Sequence, residues 1–325
     1  MVAPMAGGPS TPELAAAGSN AGALGFVAAG YLSAESLAER LTAARRLTAG
    51  PVGVNLFVPQ PSAALPADIE RYARDLSGEA QRYRVSLGEP RFDDDGWAAK
   101  LGVVLDLRPQ VVSFTFGLPS PGECARLRAA GITTVGTVTT VAEAGAAVSC
   151  GVDALVVQGP AAGGHRGTFD PAAPPAGAPL HELLRSVLTE TDLPVVAAGG
   201  LMTAEDIATV REAGVVAAQL GTAFLLADEA GSTPVHRAAL RDPQFTETVV
   251  TRAFSGRYAR GLRNRFITEH DGQAPLGYPE VHYLTSPVRA ASVRSGDPQA
   301  TNVWAGTGFR AARTAPAADI IGALV

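Results

Sequence analysis

Short apolar runs ending in Gly, Asn or Gln, each followed by a helix-patterned stretch, recur through roughly the first 230 residues of this chain. That beat restricts it to βα repeats. The runs are Val2 to Pro4, Ala23 to Ala28, Val52 to Phe57, Val111 to Phe116, Thr133 to Val138, Ala154 to Val157, Pro194 to Ala198 and Ala217 to Leu220. They are almost continuously hydrophobic and do not alternate, as strands of a parallel sheet covered on both faces do. Eight such runs predict a closed α/β barrel of the TIM (β/α)8 type. An open doubly wound sheet is the rival arrangement.

The intervening stretches carry their own boundaries. Ser33 precedes an amphipathic run to Leu47, and Thr203 stands three residues before Asp206, close to a capping box. Gly131 and Gly214 stop helices ahead of the next apolar run. Two segments break the beat, residues 61–105 and 231–299. They predict a second, smaller, mostly helical domain laid over a barrel formed by 1–60, 106–230 and 300–325.

Charge narrows the functions available. Lys+Arg 26 against Asp+Glu 31 gives a net charge of -5, which argues against a nucleic-acid partner. Lys100 is the only lysine, so Schiff-base chemistry would have to fall on it. Cys124 and Cys150 form no CxxC pair and read as buried thiols in a reducing compartment. The start lacks a basic n-region followed by an apolar h-region, and no run of ~18 apolar residues occurs. The expectation is a cytoplasmic protein with no membrane partner. No HxxxH, HExxH or clustered Cys/His/Asp set is present, so no metal site is expected, and the acids Asp93, Asp94 and Asp95 suit a helix N-terminus. The GxGxxG, P-loop and GxSxG patterns are absent.

In a barrel of this kind the site lies at the carboxyl ends of the strands. Those positions are Met5 to Gly8, Asn55, Gly117, Gln158 to Gly167, Gly199 with Gly200, and Gly221 with Thr222. The last two clusters follow the expected seventh and eighth strands, where backbone N–H groups and a helix N-terminus can hold a phosphate. His165 lies among Gly159, Gly163, Gly164 and Gly167, which allow close approach of a ligand to an imidazole able to take a proton. His181, His236, His270 and His282 lack such settings and read as surface or structural.

The stretches APMAGGPSTPELAAAGSNAGALGFVAAGY (3–31), GVNLF (53–57), VVSFTFGLP (111–119), VVQGPAAGGHRGTF (156–169), VVAAGGLMT (195–203) and QLGTAFL (219–225) together resemble the nitronate monooxygenases, formerly 2-nitropropane dioxygenases. FSGRYARGLRNRF (254–266) and WAGTGFR (304–310) extend the resemblance nearly end to end. It implies non-covalent FMN. Met5 and Ala6 would lie against the flavin ring, and Asn55 and Gln158 would contact the ring or ribityl chain. Gly163, Gly199, Gly200, Gln219, Leu220, Gly221 and Thr222 would hold ribityl and phosphate. His165 would be the base that takes the α-proton of a neutral nitroalkane. The implied reaction is oxidation of an alkyl nitronate, such as propionate 3-nitronate, by O2 to a carbonyl compound and nitrite, in a monomer or homodimer.

Flavin-dependent enoyl-acyl-carrier-protein reductases share the GG and QxGT stretches, which keeps an NAD(P)H oxidoreductase as the alternative. A flavin-binding protein without turnover has no use for a poised base. The first expected strand is unusually short. Thr115 stands where some members carry histidine and Thr307 where glutamine is common, which bears on substrate preference. Arg166, Arg260 and Arg263 are candidates to pair with a carboxylate on the substrate, against surface solvation. Tyr278, Tyr283 and Trp304 are candidate pocket walls, against core packing.

Overall fold

A computed structural model describes residues 1–325. Seven strands run parallel in one sheet: β1 (Gly25–Ala28), β2 (Val52–Phe57), β3 (Val111–Thr115), β4 (Thr133–Val138), β5 (Ala154–Gln158), β7 (Val195–Ala198) and β8 (Ala217–Gln219). They pair in that order, with helices between them, as a curled, TIM-like α/β sheet. β6 (Gly164–His165) lies outside this sheet and joins β9 (Thr248–Thr251) and β10 (Ala259–Leu262) in a small antiparallel one, in the order β6-β10-β9.

The first of the eight expected runs is realised differently. Val2 to Pro4 contributes one parallel bridge, Val2 to Leu220, and no named strand. Pro4 supplies no N–H, so the ladder has nowhere to extend. The segment still touches both sheet edges: Val2 N–H donates to Leu24 at 2.9 Å and Ala3 N–H to Leu220 at 2.8 Å.

Burial explains the non-alternating strands. On β5, Leu155 and Val157 face a cluster completed by helix residues Leu183, Leu184 and Val187, while Val156 turns inward to Val135, Val196 and Ala198. Both faces are therefore dry, and the sequence carries no polar beat. Ser33 and Thr203 cap their helices as expected, the latter in a full capping box with Asp206. The helix Trp97–Leu107 sends Leu101 and Val104 into the shell cluster shared with Val27, Leu37 and Val54.

The 61–105 and 231–299 segments supply a cluster of their own, joining Ile69, Tyr72 and Leu76 to Phe254, Phe266, Val281 and Leu284. This material is less purely helical than the pattern suggested, since β9 and β10 lie within it. Cys124 and Cys150 are free thiols with their sulfurs 3.4 Å apart. No helix is long and apolar enough to cross a membrane.

Candidate active site

The strand ends converge on one cavity of about 710 Å³. Its floor is formed by residues at the carboxyl ends of successive strands: Asn55 on β2, Thr115 on β3, Thr137 on β4, Gln158 on β5, Ala198 on β7 and Gln219 on β8. Met5, Ala6, Gly163, His165, Gly199, Gly200, Leu220, Gly221 and Thr222 line it as well. Every residue singled out for cofactor or catalysis therefore faces the same space, although the positions span more than two hundred residues of chain.

The floor is polar and partly spoken for. Asn55 Nδ2 donates to Ser113 Oγ at 2.9 Å and Thr115 Oγ1 at 3.1 Å. Gln158 Nε2 donates to the His165 carbonyl at 3.1 Å, and its Oε1 accepts from Gly167 N–H at 2.9 Å, so this side chain ties down the loop that carries His165. Gln219 Oε1 is buried and has no partner in the chain. Such an acceptor calls for a donor from a bound molecule.

The rim is built for close approach of something flat or anionic. Gly200 has φ +82°, and a Cβ there would sit 2.8 Å from the Ala161 Cβ; a Cβ on Gly163 would overlap the backbone of Ala305 and Gly306. The amides of Gly200 and Gly221 donate to nothing within the chain. Thr222 Oγ1 accepts from Gly306 N–H at 2.9 Å and keeps its own proton to give. Unused donors on two neighbouring strand ends, beside the orphaned Gln219 oxygen, fit a phosphorylated cofactor with hydrogen-bonding ring edges.

His165 is held more firmly than a glycine-flanked loop suggests. β6 pairs with β10, placing His165 opposite Ala259, and Arg166 N–H donates to the Tyr258 carbonyl at 2.8 Å. Its ring is surrounded by Phe116, Tyr278 and Trp304, with centroids 5.6 to 5.8 Å away. His165 Nε2 lies 2.8 Å from Ser255 Oγ. Burial first, then the charges of Arg257 and Arg289, holds the imidazole down at about 3, so it is neutral at ordinary pH.

Two histidines read as peripheral turn out to line the cavity. His282 stacks on Tyr31 at 4.4 Å, and His236 Nε2 lies 3.1 Å from the Trp304 carbonyl. Burial and then Arg289 lower His282 to about 2, and burial lowers His236 to about 4. His181 is exposed, and His270 sits beside Glu79 at 3.6 Å, away from the cavity.

The arginines are also redistributed. Arg166 is buried and clamps the Gly159 and Gln158 carbonyls; surface solvation does not describe it. Arg260 donates to the Pro160 carbonyl at 3.0 Å, and Arg263 pairs with Glu247 at 2.7 Å on the surface. None of the three lines the cavity. The guanidinium groups lining it are Arg289, bonded to Thr285, Ser286, Asn302 and the His282 carbonyl, and the exposed Arg294, whereas Arg257 lines the adjoining small pocket, 3.9 Å over the Phe116 ring. Neither Arg289 nor Arg257 has a carboxylate partner. Local sequence gave no sign of them, because Arg257 and Arg289 come from the segment without periodicity.

Trp304 walls the main cavity beside His165; Tyr278 packs against the His165 ring but lines the small side pocket together with Tyr283, which donates to Asp93 at 2.8 Å. Thr115 lines the main cavity; Thr307 is exposed.

A model of the family described as nitronate monooxygenase matches residues 1–325. A probable nitronate monooxygenase of Staphylococcus aureus (strain MSSA476) is 36% identical over 327 residues, covering 98% of this chain and 91% of the relative. Among solved structures, a nitroalkane oxidase from Streptomyces ansochromogenes superposes with a TM-score of 0.97 at 50% identity, covering 99% of this chain and 93% of that one. FabK from Thermotoga maritima superposes with a TM-score of 0.76 at 23% identity, over 99% of this chain and 90% of that one, a likeness of fold.

Proposed function

Because the chain belongs to the nitronate monooxygenase family, we propose that it is a cytoplasmic, FMN-dependent oxidoreductase that converts alkyl nitronates and O2 to a carbonyl compound and nitrite, with His165 as the base for neutral nitroalkanes. The observation that carries this reading is geometric: the His165 side chain lines the same glycine-rimmed cavity as the free Gly200 and Gly221 amides and Arg289, which has no carboxylate partner. The unprotonated imidazole can accept a proton, and Arg257 and Arg289, which disfavour an isolated imidazolium, favour the nitronate anion formed beside it.

In this proposal the free amides of Gly200 and Gly221 and the Thr222 hydroxyl hold the phosphate end. Gln219 Oε1, which has no partner in the chain, and the Asn55 side chain would offer hydrogen bonds to the flavin, and Met5 and Ala6 would supply apolar contact to it. When bound, FMN supplies the electron acceptor for nitronate oxidation and the route to O2. The protein's own part is to exclude water and to position the substrate carbon. Phe116, Tyr278 and Trp304 form a dry wall around the imidazole. Arg289 is placed to attract the negative nitro group. The 231–299 segment, with 61–96, acts as the lid over the barrel and brings Ser255, Arg257, His282 and Arg289 to the site.

The test is to add propionate 3-nitronate anaerobically to the purified protein while recording its visible spectrum. A flavin absorption that bleaches supports the proposal. A flavin that ignores nitronate but bleaches with a reduced nicotinamide would overturn it in favour of the enoyl reductase chemistry. A second measurement isolates the base: His165→Ala is expected to retain flavin and lose turnover of neutral nitroethane, and unchanged turnover would remove His165 from that role.

A further inference from the structure

We propose that Ser255 is a positioning residue that fixes His165 in its Nε2–H tautomer, making Nδ1 the atom that accepts the substrate proton. The inference rests on the base reading given above and adds which nitrogen acts and what decides it.

A serine hydroxyl has one proton to give. Ser255 is buried, and its Oγ lies 3.2 Å from the Arg257 carbonyl in donor geometry and 2.8 Å from His165 Nε2. The Arg257 carbonyl has no other donor in the chain. Turning the hydroxyl toward Nε2 would orphan that carbonyl in the interior, which is costly. The proton therefore goes to the carbonyl, and the Ser255 oxygen presents a lone pair to Nε2. Nε2 must then carry the ring proton.

The other nitrogen is left unpaired. Nδ1 has no hydrogen-bond partner in the chain, yet it is not among the fully buried orphaned atoms, so it opens onto the cavity that His165 lines. The neighbours facing the ring are Phe116, Tyr278, Trp304 and, through their charge, Arg257 and Arg289. None of them is a carboxylate that would compete for Nδ1. The orienting role that a buried acid plays in other acid–base sites falls here to a hydroxyl backed by a carbonyl.

The proton step balances. The Cα–H bond of the nitroalkane breaks, its electron pair moves onto the nitro group to give the nitronate anion, and the proton forms a new bond to Nδ1. The imidazolium that results still donates Nε2–H to Ser255, so the acceptor is strengthened as the ring becomes charged.

Two readouts test this on the flavin-loaded protein. With 15N-labelled histidine, the wild-type His165 resonances should show a protonated Nε2 and an unprotonated Nδ1; the opposite pattern overturns the proposal without any variant. Ser255→Ala should then show a mixture of tautomers. It should also lower the ratio of nitroethane turnover to ethyl nitronate turnover about tenfold or more, since only the neutral substrate needs the base. Ser255→Thr, which keeps a hydroxyl, should restore much of that ratio. An unchanged ratio in Ser255→Ala, beside a collapsed ratio in His165→Ala, would sink the role of Ser255 alone. An unchanged ratio in both would sink the base assignment beneath it.

Discussion

At the scale of single residues, the site is governed by charge without counter-charge. Arg289 spends its donors on Thr285, Ser286, Asn302 and a carbonyl, and none of them cancels its charge. An anion entering the cavity is the missing partner. Replacing Arg289 by Met is expected to raise KM for a nitronate about tenfold more than for the neutral nitroalkane, the size of one charge-assisted hydrogen bond. Steady-state kinetics on both forms of one substrate checks this; an equal rise in both would assign Arg289 to packing. The glycines make a second case. Gly200→Val would combine a positive φ with a clash on Ala161, and is expected to abolish flavin retention on a desalting column while leaving the far-UV circular dichroism intact.

Legibility at this scale follows distance along the chain. His165, Gly163, Gly200 and Gly221 announce themselves because a strand end followed by glycines is a local pattern. Ser255 meets His165 across 90 residues, and Tyr278 meets Tyr31 across 247. Neither carries any local mark of its partner. His282 and His236 were likewise unreadable, since what makes them part of the site is a stack on Tyr31 and the Trp304 carbonyl.

Among elements, the parallel strands were readable because burial on both faces writes unbroken apolar runs, and the helices because their caps are chemical. Thr203 accepts from Asp206 N–H at 3.1 Å, while Asp206 reaches back to Thr203 N–H at 2.9 Å. Thr203→Ala is expected to cost about 1 kcal/mol, read as a lower urea midpoint with an unchanged slope. No loss would mean that Asp206 alone holds the turn, through Met202 and Thr203. The small antiparallel sheet left no such trace. β6 is two residues long, and Ala259–Leu262 contains a glycine and a half-buried arginine, so neither shows a period. The Trp97–Leu107 helix shows the complementary limit: it lies largely within the 61–105 segment expected over the barrel, yet its Leu101 and Val104 pack with Val27, Leu37 and Val54 of the barrel shell.

Across the whole molecule, acid acts on groups that the fold keeps in one protonation state. His165, His282 and His236 are held near 3, 2 and 4 by burial first, whereas an unfolded chain binds these protons below about 6.5. The folded state refuses protons that the unfolded state takes up, so their contribution is complete above about 6.5 and is lost as pH falls, down to about 4 for His236, 3 for His165 and 2 for His282. Glu79 adds a later step. Burial pushes its carboxyl up, but hydrogen bonds and charge from Arg265 and His270 prevail and leave it at about 2. That stability is present above the ordinary glutamate range and disappears as pH drops through about 2. Urea midpoints are therefore expected to fall continuously from about pH 6.5 through the histidines, with Glu79 sustaining the fall below about 4.5 as the His236 contribution ends. Glu79→Gln should lessen the fall below about pH 4.5, leaving that of His165 and His282, and cost about 3 kcal/mol at neutral pH. A midpoint flat down to pH 4.5 would show that the three imidazoles are hydrated in solution.

The antiparallel pair that carries His165 joins a barrel loop to the segment after residue 231, and this places a mechanical condition on turnover. A lid swinging on a hinge would unzip Gly164–His165 from β10 and take the proton acceptor out of register each time the cavity opened. The pairing favours traffic through side-chain motion at the aromatic gap of Tyr31, Phe57, Phe116 and Tyr278, with the backbone kept shut. Slow amide exchange at Arg166 during steady turnover, matching that of the barrel strands, would be the signature of a machine that breathes through its rings.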